Sequence, residues 1–466
     1  MIFLGRTREL GRLRAAFDRR DASILRVTGM RGVGKSALLR RACADFSSLV
    51  FRCAPASDQA QRAALQAALG TPIAGVHDSS ELKSWAALLQ DAAEMAEPGG
   101  RGFVLVVDDA YRLAHGRSRL ESPLAAVVDR ARAEQRALHV VLVSHDRASL
   151  SFPKLGAFTG GDLHVEPLPF RSAIGLLPGS KPRDFIRSYA VFGGVPRTLG
   201  LLDPALTLST NIRNIMLEPE ADLSAVGADW LERDVQNPTR YYAVLSALSH
   251  GQADWAAVHA GVPDLTASGQ VAPYVQRLED LGVVRVSRSL DAAPRSRSRR
   301  YQVTDPFLAF WFRFGLPNLF VSGRDPSAHF KEAIRPLQDA HTASIFPEVC
   351  RQYMEHDASE QLSSNARESG SLWGADHQID VAGILASGAA YYGSCHWTAI
   401  PESANPLADL DSSIRETRYG FGREARLRIL FSARDLPRSV EREVARRADA
   451  SMVGAEALTG LDAGRP

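Results

Sequence analysis

A glycine-rich segment at residues 29–36 has the residue types and spacing of a phosphate-binding P-loop, G-x-x-x-x-G-K-[ST]. An apolar run precedes it and a helical pattern follows it, which is the context that the motif requires. The glycines let backbone N–H groups face phosphate oxygens, and the helix N-terminus adds partial positive charge. Lys35 is predicted to reach the β- and γ-phosphates, and Ser36 to hold Mg²⁺. The cofactor-binding candidates in this segment are Gly29, Gly32, Val33, Gly34, Lys35, Ser36 and Ala37.

Two carboxylates, Asp108 and Asp109, end a second apolar run that begins at Phe103. A P-loop enzyme needs an acid there to hold Mg²⁺ through water, so Asp108 is a second metal-ligating candidate. Asp109 is predicted to orient the attacking water. Ser144 ends the next apolar run and is predicted to contact the γ-phosphate or that water, the alternative being a structural serine. The catalytic candidates are Lys35, Asp109 and Ser144, and the predicted cofactors are ATP and Mg²⁺.

The bulk composition bounds the class of protein. The chain has 466 residues, 45% of them apolar and 23% charged, which predicts two to four soluble domains. The net charge is only +2, so any basic surface must be local. The four cysteines show no C-x-x-C pairing and are expected to be reduced. The sequence shows neither a signal-peptide pattern nor an apolar run of about 18 residues, so we expect a cytoplasmic location and no membrane partner.

The elements that must position these residues follow from the pattern of residues 1–168. Strand candidates alternate there with helical patterns, which predicts an α/β fold with a parallel sheet. The strand candidates are 24–28, 49–53, 103–108, 138–144 and 163–166. Residues 169–236 are predicted to form a helical lid.

Residues 237–320 change character. Three helical patterns and then two β-like runs predict a winged helix-turn-helix. The helical patterns are 241–248, 255–259 and 271–281, and the β-like runs are 283–286 and 301–303. The arginines of the predicted wing are Arg285, Arg288, Arg295, Arg297, Arg299 and Arg300. Clustered arginines suit the phosphates of duplex DNA, whereas a solvated loop or a protein-binding module are the alternatives.

Residues 325–455 are predicted to form a third, small α/β domain. Its pattern predicts one helix, a Ser/Gly-rich stretch and three strands. These segments are 346–355 for the helix, 359–371 for the Ser/Gly-rich stretch, and 379–385, 389–394 and 426–431 for the strands. The small, polar residues from 450 onward are expected to fray, with 456–466 as a flexible tail.

Beyond the P-loop, three further segments resemble the archaeal-type ATPases of the STAND/AAA+ superclass, which also occur in bacteria. Residues 3–10 resemble the family motif F-x-G-R-x-x-E-L, and residues 193–196 resemble its G-G-x-P lid motif. Residues 301–314 resemble Y-x-I-x-D-P-F-L-x-F-W-x-R-F, which follows the wing in this family. The resemblance implies that Arg6 lies near the adenine and Pro196 against the base. Arg197 resembles a sensor arginine, the alternative being a solvated arginine at a helix start.

One departure from the family concerns hydrolysis. The second acid of the family is usually Glu, whereas this chain has Asp109. The shorter side chain places the carboxylate ~1.5 Å farther back, and a displacement of about 1 Å can lower a rate on the order of 10²-fold. We therefore expect slow hydrolysis with nucleotide binding retained.

A second departure concerns the C-terminal domain, which resembles a restriction-endonuclease-like core with the pattern F-E-E-x-C, I-D and G-E-C-K-W. Glu348 and Asp380 match two of its acids, but Ser394 and His396 replace its Glu and Lys. Metal-dependent phosphodiester cleavage needs at least two acids and a stable cation, so we expect a degenerate active site. The alternative is a rearranged metal site. Its candidates are Glu348, Asp376, His377, Asp380 and His396.

These features predict a nucleotide-dependent ATPase switch whose winged helix contacts DNA or a protein partner. One alternative is a non-hydrolysing, ATP-bound scaffold, and a weaker one is an ATP-gated nuclease. A homo-oligomer is a further expectation, because AAA+-like enzymes often take an arginine from a neighbouring subunit.

Overall fold

The computed structural model divides into two compact units, Met1–Pro167 and Leu168–Pro466. The residues that it describes are 3–70, 82–100, 102–113, 117–145, 150, 155, 159–228, 231, 235, 237–265, 267–293, 295–320, 323, 325–362, 364–423 and 425–461. In this part of the chain, no helix combines the length and apolar character needed to cross a membrane. All four cysteines are free thiols.

The first unit is a five-stranded parallel sheet, and helices connect its first four strands in chain order. Its strands are β1 (Ser23–Thr28), β2 (Ser47–Arg52), β3 (Phe103–Asp108), β4 (Leu138–Ser144) and β5 (Thr159–His164). Its helices are α1 (Thr7–Phe17), α2 (Lys35–Ala42), α3 (Asp58–Ala68), α4 (Trp85–Glu94) and α5 (Arg117–Ala133), with 3₁₀ turns at Cys43–Asp45 and Ala110–Leu113. The strand order is β2-β3-β4-β1-β5, so the predicted α/β class and P-loop-type sheet are confirmed.

Strand register brings the predicted site residues to one edge of this sheet. In the parallel pairing of β1 with β4, Thr28 lies opposite Ser144, and in that of β3 with β4, Val107 lies opposite Leu142. Because parallel strands all end at the same edge, the loop after β1 and the ends of β3 and β4 converge there. The strand predicted at 163–166 begins earlier, at Thr159, where two glycines leave no apolar signal.

The core of this unit lies between the sheet and its helices. Leu105 on β3 and Leu142 on β4 are fully buried, as are Leu88 on α4 and Leu124 on α5. The inner strands β3 and β4 are apolar along nearly their whole length, as expected for parallel strands covered on both faces. This packing fixes the strand ends that carry the site.

The second unit begins with short helices and then three helices followed by an antiparallel hairpin. The short helices are α6 (Phe170–Ala173), α7 (Pro182–Phe192), α8 (Pro196–Leu199) and α9 (Leu208–Ile212), with a 3₁₀ turn at Ile174–Leu176 and a π-helical turn at Arg213–Leu217. The three helices and the hairpin are α10 (Thr239–Leu248), α11 (Trp255–Ala260), α12 (Ala272–Asp280), β6 (Val284–Ser287) and β7 (Arg300–Val303), with a 3₁₀ turn at Ser268–Gln270. They occur in the order that the sequence predicts.

Further helices and a mixed sheet complete this unit. The helices are α13 (Pro306–Phe310), α14 (Leu316–Leu319), α15 (Pro326–His329), α16 (Gln338–His356), α17 (Ser359–Leu362), α18 (Pro406–Glu416), α19 (Arg438–Arg446) and α20 (Ala455–Thr459), with π-helical turns at Trp311–Gly315 and Phe330–Ile334 and a 3₁₀ turn at Arg335–Leu337. The strands are β8 (Ala366–Trp373), β9 (Gln378–Leu385), β10 (Ala390–His396), β11 (Arg426–Ser432) and β12 (Ala450–Gly454), in the order β12-β11-β10-β9-β8. The predicted small α/β domain is confirmed, and its sheet is mixed.

One expectation for this region is wrong, and one strand in it was not predicted. Residues 366–373, which begin within the Ser/Gly-rich stretch, form β8 and pair antiparallel with β9. The fraying tail is instead β12, which pairs in parallel with β11, followed by α20, whose Leu458 is fully buried. Backbone hydrogen bonds to β11 and the burial of Leu458 order this segment, although most of its side chains are small or polar. Residues 462–466 of the predicted tail lie outside the described residues.

Candidate nucleotide-binding site

The loop between β1 and α2 has the backbone conformation of a phosphate cradle. Gly29, Gly32 and Gly34 have φ values of +147°, +84° and +97°, a region that L side chains rarely adopt. A Cβ on Gly29 would also collide with the carbonyl of Val165. Gly34 is the N-cap of α2, so the helix N-terminus opens directly onto the loop. These backbone features fit a phosphate group.

Lys35 spans this cradle. Its Nζ donates to the carbonyl oxygen of Gly29 at 2.5 Å and to that of Met30 at 3.1 Å. The side chain is half-buried, so the ammonium is held within the loop rather than in bulk solvent. Small rotations of a lysine side chain suffice to turn such an ammonium from carbonyls toward phosphate oxygens.

The two predicted metal-ligating residues meet at the sheet edge. Ser36 Oγ donates to Asp108 Oδ2 at 3.1 Å, and Asp108 Oδ1 accepts from the backbone N–H of Asp109 at 3.0 Å. A hydroxyl and a carboxylate are hard oxygen donors of the kind that Mg²⁺ prefers. The donor set therefore fits a magnesium ion bound together with phosphates.

Asp109 has an unusual backbone for a residue with a side chain. Its φ is +56°, in the left-handed region, and its Oδ2 lies 3.7 Å from Nε of the exposed Arg52 on β2. Burial raises the pKa of the adjacent Cys53 thiol to about 12, and the charges of Asp109 and Asp108 add to the shift. The thiol beside the two acids therefore stays protonated.

Ser144 is placed at the end of β4 but is 1% exposed, so the side chain is covered where the sequence predicts contact with phosphate or water. The next residue, His145, packs edge-on against Tyr111 with ring centroids 4.6 Å apart. Tyr111 OH accepts from Nη2 of Arg31, a variable position of the P-loop motif, at 3.1 Å. Arg112 lies over the same ring at 5.0 Å.

Sequence reasoning missed this group of Arg31, Tyr111, Arg112 and His145. The position of Arg31 inside the motif and of His145 directly after a strand were available signals. Tyr111, which joins them, lies in a 3₁₀ turn after β3, and no periodicity points to it.

Arg6 hydrogen-bonds the backbone of the P-loop and of the segment after β5. The side chain is 5% exposed, and Nη2 donates to the carbonyl oxygens of Val33 at 3.1 Å and Glu166 at 2.5 Å. Nη1 forms an ion pair with Glu9 at 2.9 Å. The guanidinium thus joins α1, the P-loop and the segment after β5, a structural task that adds to the expected position near adenine.

The lid motif of the second unit packs against the motif that follows the wing. Gly193 has φ +66°, and a Cβ there would collide with Oδ1 of Asp305. Asp305 caps α13 by accepting from the N–H of Phe307 at 3.1 Å, and burial raises the pKa of Asp305 to about 7. Pro196 opens α8 and is half-buried, whereas Arg197 is exposed.

Arg285 and Arg300 of the predicted wing contact side chains beyond the wing. Arg285 forms an ion pair with Glu348 at 2.8 Å, and the Arg300 guanidinium lies over the ring of Trp373 at 4.6 Å. These contacts do not test the predicted contact of the six arginines with DNA, which stays a prediction. The exposed members of the set are Arg285, Arg288, Arg295, Arg297 and Arg299.

The nuclease-like residues are engaged with one another or with arginines. Glu348 also pairs with Arg351 at 2.5 Å, and although burial acts in the opposite direction, the two arginines lower the pKa of Glu348 to about 2. Asp380 accepts from the N–H of Cys395 at 2.9 Å, and burial raises the pKa of Asp380.

Two histidines of the alternative metal set also have partners. His396 Nε2 is hydrogen-bonded to Ser394 Oγ at 2.8 Å, and His377 Nε2 lies 2.9 Å from Asp291 Oδ2. Among the described residues, no group of three or more His, Cys, Asp and Glu side chains is arranged to hold a metal ion.

Comparisons with known proteins agree with this geometry. Residues 2–148 match the AAA ATPase domain, and residues 311–406 match a family described as archaeal and bacterial proteins of unknown function. An uncharacterized protein of Methanocaldococcus jannaschii, MJECL04, is 20% identical over 405 residues, which are 82% of this chain and 84% of that protein.

Two solved structures are also similar. A Walker-type ATPase of Pyrococcus abyssi is 14% identical with a TM-score of 0.51, covering 66% of this chain and 95% of its own. The ORC2 protein of Aeropyrum pernix in ADPNP–ADP complexes is 13% identical with a TM-score of 0.41, covering 67% and 93%. The sequence matches and the P-loop sheet together show an AAA ATPase domain at residues 2–148 and, at residues 311–406, similarity to the archaeal and bacterial proteins of unknown function.

Proposed function

We propose that this protein is an ATP-dependent switch that hydrolyses ATP slowly and couples its nucleotide state to contact with duplex DNA. The observation that carries the proposal is the hydrogen bond between Ser36 and Asp108 at the mouth of the glycine cradle. A hydroxyl from the P-loop and a carboxylate from the neighbouring strand end meet where a phosphate-bound Mg²⁺ is held in P-loop ATPases.

In this proposal each site residue has one task. Lys35 and the loop N–H groups bind the β- and γ-phosphates, Ser36 and Asp108 hold the metal ion, and Asp109 positions the attacking water. When bound, the ion neutralises charge on the phosphate oxygens. Ser144 supports the strand end, and Pro196 and Arg197 contribute to nucleotide binding.

The output of the switch is a winged helix formed by α10, α11, α12 and the β6–β7 hairpin. Its exposed arginines supply a local positive surface on a chain of net charge +2, which suits backbone phosphates. The proposed domain limits are 1–168, 169–236, 237–320 and 325–455.

A second candidate is an ATP-bound scaffold that does not turn over. The left-handed backbone of Asp109 and its ion pair with Arg52 favour this candidate. Both restrict where the short Asp109 side chain can place its carboxylate, so it is less able to reach the attacking water. Binding would then survive without measurable hydrolysis.

Steady-state ATP hydrolysis with and without duplex DNA tests the proposal. Lys35→Ala is the inactive reference, and Lys181→Ala, an exposed lysine at the start of α7, is the matched control. We expect turnover by the wild type and Lys181→Ala to exceed that of Lys35→Ala and to rise with DNA. Turnover equal to Lys35→Ala with ATP still bound would favour the scaffold, and failure to bind ATP would refute both candidates.

A further inference from the structure

A cavity of about 510 Å³ opens on the wing and combines aromatic rings with arginines. We name it the wing pocket, formed by Trp255, Tyr301, Arg288, Arg295, Arg297 and Arg299. Its volume lies in the range of sites for small organic ligands, about 300–1,000 Å³. The pocket is open to solvent, and it shares no residue with the glycine cradle of the first unit.

Two rings form the wall of the wing pocket and are fixed by the backbone. Trp255 and Tyr301 lie with ring centroids 5.5 Å apart and planes inclined by 53°. Ala253 and Tyr301 exchange two backbone hydrogen bonds of 2.9 and 2.8 Å, which tie the start of α11 to β7. Asp254 caps α11 by accepting from Ala257 N at 2.8 Å. The Tyr301 ring is buried, whereas Trp255 is half-buried and presents part of its indole to the cavity.

The charge of the wing pocket is uncompensated. Within the part of the chain that the structure describes, none of its four arginines forms an ion pair with a carboxylate. The acidic residue on the same loop, Asp291, is used by His377 and Thr417, at 2.9 and 2.7 Å. Four guanidinium groups around one concavity create a strong attraction for phosphate anions.

The loop that carries these arginines is held at both ends. Leu290 N donates to Ser371 O at 3.1 Å, and Trp373 N donates to Ser289 Oγ at 2.9 Å. At the other end, Trp373 Nε1 donates to Ser298 Oγ at 3.2 Å while Arg300 stacks on the same ring. These contacts hold the ends of the loop in place, which lowers the ordering entropy that binding must overcome.

We propose that the wing pocket binds an unpaired nucleotide of a single-stranded nucleic acid, with the base against Trp255 and the flanking phosphates on the arginines. The proposal rests on the nucleic-acid contact in the proposed function and adds a single-stranded ligand to the duplex proposed there. Bases of an intact duplex expose only their edges, so a concave site with an aromatic wall accepts a base that is unpaired or extruded. Stacking on an aromatic ring beside arginines is the physics of single-strand binding.

Fluorescence anisotropy with the full chain tests this proposal. The probes are a labelled single-stranded DNA of about 20 nucleotides, the same length of single-stranded RNA, and the matching duplex. Trp255→Ala removes the stacking surface, and Trp255→Phe keeps part of it. Phe320→Ala, which removes a 78% exposed ring elsewhere in the same unit, is the matched control.

We expect Trp255→Ala to weaken single-strand binding about 10- to 100-fold, with a smaller loss for Trp255→Phe. Duplex binding by Trp255→Ala should change less than about threefold, and Phe320→Ala should match the wild type. If Trp255→Ala binds single strands as tightly as the wild type, the proposal is overturned. It is also overturned if Trp255→Ala loses as much affinity for the duplex as for single strands. Tighter binding of RNA than of DNA would identify RNA as the source of the nucleotide.

A second variant keeps the test decisive if Trp255→Ala does not fold. Arg297→Ala should reduce the slope of log affinity against log salt by about one on single strands, whereas Arg442→Ala, an exposed arginine on α19, should not. Single-strand binding without DNA-stimulated ATP turnover would support the wing pocket and refute the proposed coupling. ATP turnover that depends on Lys35 and is stimulated by DNA, without single-strand binding, would support the proposed coupling and refute the wing pocket.

Discussion

At the scale of single residues, the position of the Asp109 carboxylate determines the rate of ATP hydrolysis that we expect. A non-glycine residue at φ +56° costs about 1–3 kcal/mol unless its surroundings hold it, and Asp is among the residue types that tolerate this region best. The ion pair with Arg52 is one such restraint. A longer side chain at this position would bring the carboxylate closer to the attacking water, but it would tolerate the left-handed backbone less well.

Asp109→Glu should raise ATP turnover on the order of tenfold or more, because the longer side chain moves the carboxylate forward by ~1.5 Å. The same change should destabilise the first unit by up to about 1 kcal/mol, since Glu tolerates a left-handed backbone less well than Asp. Turnover numbers and urea unfolding measure the two effects. Asp129→Glu, on the exposed side of α5, is the control, and an Asp109→Glu variant no faster than the wild type would contradict the geometric argument.

Asp305 should make stability depend on pH. Burial raises its pKa to about 7, above the value of about 3.9 in an unfolded chain. The folded state therefore holds the proton more tightly, so the free energy of unfolding falls as pH rises from about 4 to about 7. Asp305→Asn cannot ionise and keeps an oxygen for the N–H of Phe307. It should exceed the wild type in stability by a few kcal/mol near pH 8, with the gap closing toward pH 5.

Urea unfolding at both pH values tests this expectation. Asp325→Asn, an exposed capping aspartate on α15, is the control and should show no pH-dependent gap. A gap for Asp305→Asn that does not vary with pH would place the effect in packing rather than in ionisation.

The sequence predicted Ser36 and Asp108 as ligands of one Mg²⁺ ion, because a motif and a strand end fix both positions, and the structure places the two side chains in hydrogen-bond contact. It could not predict that Arg6 hydrogen-bonds Val33 and Glu166, since those acceptors are backbone carbonyls and carry no sequence signal. Nor could it separate Arg285 and Arg300 from the other wing arginines. Their partners, Glu348 and Trp373, lie much farther along the chain and are set by tertiary packing.

At the scale of elements, two motifs distant in sequence form one contact. The turn before α8 needs glycine at residue 193 both for its left-handed backbone and because Asp305 occupies the space beside it. In the strands β8 and β12, by contrast, no single residue type determines the structure. Their residues carry weak apolar patterns, and pairing with β9 and β11 decides their structure.

Gly193→Ala should destabilise the second unit more than Gly179→Ala. Both glycines have positive φ, +66° and +80°, so both substitutions carry a backbone penalty of about 1 kcal/mol. The space beside Gly179 is open, whereas Gly193 meets the Asp305 carboxyl, which adds about 1–3 kcal/mol of overpacking. Urea midpoints compare the variants, and equal losses would mean that the Asp305 contact yields without strain.

At the scale of the whole molecule, the two compact units should respond differently to nucleotide. Trp85 is the single tryptophan of residues 1–167, and it is buried with its Nε1 donating to Asp58 at 2.8 Å. Its fluorescence therefore reports unfolding of the unit that contains the glycine cradle.

A non-hydrolysable ATP analogue with Mg²⁺ should stabilise the transition reported by Trp85. At a concentration 100 times the Kd, the expected gain is about 2.7 kcal/mol. Thermal unfolding followed with the wild type and with Trp85→Phe isolates this signal. Lys35→Ala should abolish the shift, and an equal shift in that variant would show that the analogue binds elsewhere.

The anchored wing also has an evolutionary consequence. Asp291, His377 and Thr417 come from three separate stretches of chain and meet in one cluster, so a change in any of them alters the others' surroundings. Homologous recombination that exchanged the C-terminal sheet alone would break this cluster, whereas an exchange at residues 167 and 168 would transfer it whole. The wing and the sheet should therefore be inherited together, and a chimera joined at that boundary should retain more stability than one joined after residue 320.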